Sequence, residues 1–158
     1  AGQSEQYIVT TNLGEPLQSG ARFRVGAITD QVPATVQGND KPSAEDLERF
    51  RDCLAEELNS SLAPGIQMVQ AGAADYEVVG GIVQYTRGNG LLRFFVGLGV
   101  GSVRVLAKLK IVEVNTGDEV FAGSFAGAAT RWLEGRDSML RQVARDFAEE
   151  LERQRARG

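Results

Sequence analysis

The stretch Val103-Arg104-Val105-Leu106-Ala107-Lys108-Leu109-Lys110-Ile111, followed closely by Asn115-Thr116-Gly117-Asp118, decides the fold. Val103, Val105, Ala107, Leu109 and Ile111 alternate with Arg104, Lys108 and Lys110. A period of two describes a strand with one buried face and, here, one basic face. The Asn-Thr-Gly-Asp run carries hairpin chemistry, so residues 119–129 should return as an antiparallel partner. Upstream, residues 76–85 read as another strand, with Val78, Val79, Ile82 and Val83 serving both faces and Gly80-Gly81 weakening its middle. Downstream, Leu140, Val143, Ala144, Phe147 and Leu151 recur at three and four residues, an apolar stripe on a helix that begins near Asp137.

Working towards the N-terminus, Arg22-Phe23-Arg24-Val25-Gly26-Ala27-Ile28 again alternates charge with apolar side chains. Pro33, Gly38 and Asn39 mark residues 30–41 as a loop. Ser43 is then positioned to cap a helix, with Glu45 and Asp46 in its first turn, where the macrodipole favours acids. Leu47, Phe50, Leu54, Leu58 and Leu62 form its apolar stripe, Pro64-Gly65 stops it, and a short strand follows at 66–69. Each helix offers one stripe and each long strand mostly one apolar face. The economical packing is an α+β two-layer sandwich, with two helices on one face of a mixed sheet of four to five strands. The first strand-helix-strand unit should be parallel and the last three strands a meander. Residues 1–21 are expected to form a tether with an edge strand at 7–11, residues 22–152 a single domain, and residues 153–158 a frayed tail.

Composition narrows the function. A length of 158 residues suits one domain. Seventeen Lys and Arg against 21 Asp and Glu leave a net charge of -4, the wrong sign for gripping phosphate backbones, so no nucleic-acid partner is expected. The chain has no histidine, which removes the commonest general base and metal ligand. Cys53, the single cysteine, has no histidine to activate it and no second thiol for a disulfide or a cysteine-rich zinc cage, and reads as a half-buried structural residue. Glu45, Asp46, Glu48, Asp52, Glu56 and Glu57 share one helix and read as a solvated face rather than as acids opposed across a cleft. Asp118 and Glu119 beside Asn115 fall short of a calcium cage. No enzyme, metal or cofactor is therefore expected. Residues 91–103 are weakly polar, carry Arg93 and are too short to span a bilayer as a helix.

Two surfaces stand out. Of the 19 glycines, Gly80, Gly81, Gly88, Gly90, Gly97, Gly99 and Gly101 cluster together. Gly97-Leu98-Gly99-Val100-Gly101 does not match a dinucleotide fingerprint, because it runs into a strand rather than a helix and lacks the required spacing. Combined with the apolar run before it, the segment reads as a contact surface for lipid or protein. Its candidate partner-binding residues are Leu91, Leu92, Phe94, Phe95, Gly97, Gly99 and Gly101. The second surface is a basic stripe of Arg104, Lys108 and Lys110, joined by Arg22 and Arg24, on the outer face of the sheet. It suits an anionic polymer or head groups, or simply blunts strand aggregation. Trp132 is either a lid on the core or an interface anchor.

Ala74-Asp75-Tyr76-Glu77-Val78-Val79-Gly80-Gly81-Ile82, Gly88-Asn89, Arg93, the Gly97 to Gly101 run and Thr116-Gly117-Asp118-Glu119-Val120 together resemble a family of small bacterial envelope lipoproteins of unassigned function. The resemblance covers about residues 66–150, and its most specific part is a G-N-x-x-x-R-x-x-x-G-x-G-x-G loop. It implies two helices packed on a sheet, export, and a lipid anchor holding the domain on the periplasmic side of the bacterial outer membrane. This chain departs from the pattern in having no lipidated cysteine at its start. That cysteine and its signal segment are expected upstream of Ala1. The glycine and Phe clustering, with no catalytic constellation, points to non-enzymatic binding of another cell-envelope component, a protein partner, through the sheet edge or the Leu91 to Gly101 loop; the alternative is a lipid or glycan carrier. The family supplies no catalytic residues.

Overall fold

The computed structural model describes residues 7–15, 17–33, 41–62, 65–70, 72–85, 105–127 and 135–157. Six strands and two helices follow one another as β1 (Tyr7–Thr11), β2 (Ala21–Asp30), α1 (Ala44–Leu62), β3 (Ile66–Met68), β4 (Tyr76–Tyr85), β5 (Val105–Glu113), β6 (Glu119–Gly127) and α2 (Gly135–Arg157). All six strands join one mixed sheet in the order β1-β6-β5-β4-β2-β3. The α+β class and the one-sided helices agree with the sequence, but the strand count is six rather than four to five. Beyond the five strands read in residues 22–129, β1 pairs antiparallel with β6 at one edge, over the residues 7–11 read as an edge strand of the N-terminal tether.

β2 runs parallel to both β3 and β4, with α1 as the crossover, and β4, β5 and β6 form the expected antiparallel meander. α1 starts at a reciprocal cap. The Ser43 N–H donates to Asp46 Oδ2 at 3.0 Å, and the Asp46 N–H donates to Ser43 Oγ at 3.1 Å. Two of the donors that a helix start leaves unpaired are thereby satisfied. α1 packs on β2 and β3, α2 packs on β5 and β6, and the helices pack on each other. Between the layers, Phe23, Phe50, Leu54, Leu58, Ile82, Leu109, Ile111, Phe121, Phe125 and Phe147 are almost wholly buried. Phe147 meets Phe125 edge-on at 5.3 Å and Phe121 at 5.5 Å between ring centroids, which locks α2 to β6. No described helix is long and apolar enough to cross a membrane.

The register shifts in four of the strand pairings, and two of these shifts involve β4. Val25 pairs with Val78 while Ile28 pairs with Gly80, so β2 carries one residue more than β4 over the same span. β4 carries one more than β5 between Ile82 and Gln84. Such insertions bend a strand and increase its twist. Despite the bulge, Phe23, Val25 and Ile28 all remain buried with the helices.

Candidate functional site

With both helices on one side, no described helix covers the other face of the sheet. The pairing register places Lys108 between Gly81 of β4 and Ser124 of β6, and Lys110 between Val79 and Ala122. Ile8 and Thr11 of β1 extend these rows opposite Ser124 and Ala122. Because Gly81, Ser124 and Ala122 are small, the two lysine stems stand above a shallow trough. An open cavity of about 360 Å³ lies there, lined by Thr10, Gln31, Gly80, Lys108, Lys110 and Glu119, among others. Glu119 at its rim accepts a hydrogen bond from Thr11 Oγ1 at 2.7 Å.

The four described basic residues of this face fall into two kinds. Arg22 forms a 3.5 Å ion pair with Asp75, and Arg24 forms one of 2.8 Å with Glu77. Arg24 Nη1 also donates to the Gly72 carbonyl at 2.7 Å. The Arg22 backbone N–H and side chain together hold the Asp75 carboxyl below the usual carboxylate range. Lys108 and Lys110 are exposed and have no carboxylate partner among the described residues. Among the four described residues of the expected stripe, the basic charge without a carboxylate partner therefore resides in Lys108 and Lys110. Arg104 lies outside the described residues.

A second groove, of about 390 Å³, opens between α1 and the β2–β3 edge. Glu48, Arg51 and Asp52 line it with Ala55, Met68 and Val69. Arg51 reaches inward, its Nη2 donating to the Val25 carbonyl at 3.1 Å. On the remaining acidic face, Glu45 pairs with Arg49 at 3.6 Å, and Arg141 of α2 reaches Glu56 at 2.7 Å and Glu57 at 2.9 Å. Those two carboxylates hold the Arg141 guanidinium above its ordinary pKa. The helix face expected to be uniformly solvated is thus largely paired, while Glu48 and Asp52 have no cationic partner among the described residues.

A polar cluster that the sequence reading missed ties β1 to α2. The Tyr7 hydroxyl donates to Glu150 Oε1 at 2.9 Å, and Gln154 reaches Glu150 Oε2, Asn12 Oδ1 and the Leu13 N–H. Arg153 completes it at Glu150. Burial first, and the Glu150 carboxylate second, push the Tyr7 phenol above its ordinary range. The available signal was that Glu150 and Gln154 continue the Phe147 stripe at three- and four-residue steps, where exposed residues would not be expected. Both are buried, and α2 runs on to Arg157.

Cys53 is buried among the core residues, more deeply than its flank position implied. The other buried carboxylate, Asp46, is committed to the α1 cap. No cluster of three or more metal-ligating side chains occurs among the described residues. The expected contact residues Leu91, Leu92, Phe94, Phe95, Gly97, Gly99 and Gly101 lie outside the described residues, as does Trp132.

No protein-family model matches the chain, and no curated protein is similar to it in sequence. Solved structures are similar in shape. The fold is similar to that of PelC. A single-residue variant of PelC, a dodecamer from Paraburkholderia phytofirmans, superposes with a TM-score of 0.58 at 13% identity, covering 92% of this chain and 97% of that one. A second crystal form of the PelC dodecamer gives 0.55 at 13% identity, over 92% and 96% of the two chains. A DUF330 protein from Xanthomonas campestris gives 0.53 at 10% identity, over 94% and 93%. Identities this low establish the arrangement of helices and strands, and the near-complete coverage on both sides means that PelC and this chain share the whole layout rather than a part of it.

Proposed function

We propose that this chain is a non-enzymatic domain of a bacterial envelope lipoprotein, held by a lipid anchor upstream of Ala1 on the periplasmic side of the outer membrane, where it binds another envelope component. That component is a protein. The observation carrying the reading is the end-to-end fold match with PelC, a protein crystallised as a dodecamer. In that protein the fold serves an assembly. The likeness of residues 66–150 to envelope lipoproteins points the same way, as does a sheet face on which Lys108 and Lys110 have no acidic partner among the described residues. The carrier alternative would seat its ligand between helices and sheet, a space that Phe50, Leu54, Phe121, Phe125 and Phe147 fill.

The test uses the natural full-length gene product. Cells fed labelled palmitate should incorporate label into the protein, which should fractionate with the outer membrane. Reciprocal crosslinking in intact cells should trap the same protein partner from either side. An unlabelled protein in the cytoplasmic fraction, with no reciprocal crosslink, would overturn the reading.

A further inference from the structure

Two unpaired charge pairs on different sides of the molecule match each other. Lys108 and Lys110 are two residues apart on one face of β5, which sets their Cα atoms roughly 6.7 Å apart along the strand. Glu48 and Asp52 are four residues apart on α1, roughly 6 Å along the helix axis. All four side chains are exposed, and none has an oppositely charged partner among the described residues. Within one molecule the two pairs sit on different surfaces, the lysines on the sheet face opposite the helices and the acids in the groove beside the sheet edge.

We propose that a second copy of this chain occupies the sheet face opposite the helices, with Lys108 and Lys110 of one copy engaging Glu48 and Asp52 of the next. The inference rests on the reading of the domain as a protein-binding one and names its first partner. Small residues flank the lysines, so the sheet can approach a convex helix closely. Ala55 and Met68 beside the acids provide apolar surface for the lysine stems, which bury their methylenes while the ammonium groups reach the carboxylates. The four long strands, at about 4.8 Å spacing and about 30 Å in length, present roughly 600 Å². That is near the lower end of what stable interfaces use per partner, about 600–1,000 Å². Because the two patches differ, the contact is head-to-tail. Each copy keeps one free donor and one free acceptor surface, and assembly continues until it closes on itself or runs on as a filament. A dodecamer of the same fold is one such closed outcome.

Charge reversal tests the pairing directly. Sedimentation velocity of the wild-type domain at low salt should give concentration-dependent oligomers that weaken as salt is raised. Lys108→Glu with Lys110→Glu should weaken association tenfold or more, and Glu48→Lys with Asp52→Lys should do the same; at high salt, where the wild type is dissociated too, each variant keeps the wild-type melting temperature, because all four positions are exposed. An equimolar mixture of the two double variants should assemble again, because every contact between unlike copies is complementary; so should the quadruple variant alone. Oligomers indifferent to either reversal, or a mixture that stays dissociated, would overturn the pairing. So would a wild-type monomer at every accessible concentration; if that monomer still crosslinks reciprocally to another envelope protein, the function proposed above survives and only self-assembly is lost.

Discussion

Gly80 is the point at which the sheet is least tolerant of a side chain. Its φ is 151°, in territory that residues with a Cβ rarely enter. A Cβ placed there would run into the Lys108 carbonyl oxygen, with the Leu109 Cα 3.0 Å away. Both neighbours are backbone of the adjacent strand, so no side-chain rotation relieves the collision. Gly80→Ala therefore carries a conformational cost of about 1–3 kcal/mol. Parting β4 from β5 locally adds the loss of one or two ladder hydrogen bonds, at about 1 kcal/mol each. The sum, about 2–5 kcal/mol, is a large share of the roughly 5–15 kcal/mol that holds a domain together. At this chain length it should lower the melting temperature by about 4–20 °C. Two controls isolate the collision. Gly117 also has a positive φ, 77°, but its Cβ would meet nothing within 4 Å, so Gly117→Ala should cost only about 1–2 kcal/mol. Gly14 has open space and no positive φ, and Gly14→Ala should stay within about 0.5 kcal/mol of wild type. Urea unfolding followed by circular dichroism reads all three. A Gly80→Ala variant no less stable than Gly117→Ala would refute the reasoning.

Other parts of the fold give further expectations. Ser43→Ala removes half of the α1 cap and should cost about 1 kcal/mol in urea unfolding, with Ser43→Asp retaining most of the stability. Phe147→Ala opens a hole among Phe121, Phe125 and the rest of the core and should cost about 3–5 kcal/mol, whereas Arg141→Met, at a partly exposed ion-pair cluster with Glu56 and Glu57, should cost about 1 kcal/mol. Equal costs for the two would contradict the view that the helices are held by packing rather than by charge. Because Asp75 has its pKa lowered by Arg22, its contribution is present above the ordinary carboxylate value and is lost as pH falls below it. Melting curves recorded downwards from pH 6 should show Asp75→Asn losing less stability than wild type.

Much of the architecture was legible because burial leaves a local imprint. The period of two in residues 105–111 and the three-and-four spacing of Leu54, Leu58, Phe147 and Leu151 each report which side of an element faces the core, and the structure places them accordingly. Ser43 was recognisable as a cap because capping is settled within four residues. β1 was harder to place: its five residues carry little alternation, and it becomes a strand through β6 and through Tyr7, which stacks on Phe125 at 5.1 Å.

The sequence by itself determined that two amphipathic helices and a set of one-faced strands must share a core, because those periodicities cannot be buried in any other way. Tertiary structure alone decided which charges are spent and which are free. Arg22 and Lys108 look alike in the chain, yet the parallel register sets Asp75 beside one, while the antiparallel register sets glycine and serine beside the other. Charge pairing depends on a few ångströms of distance. Across strands that distance is fixed by register, bulges and crossovers joining residues about 16 to 53 apart in the chain, a range over which no local pattern of residues carries the information.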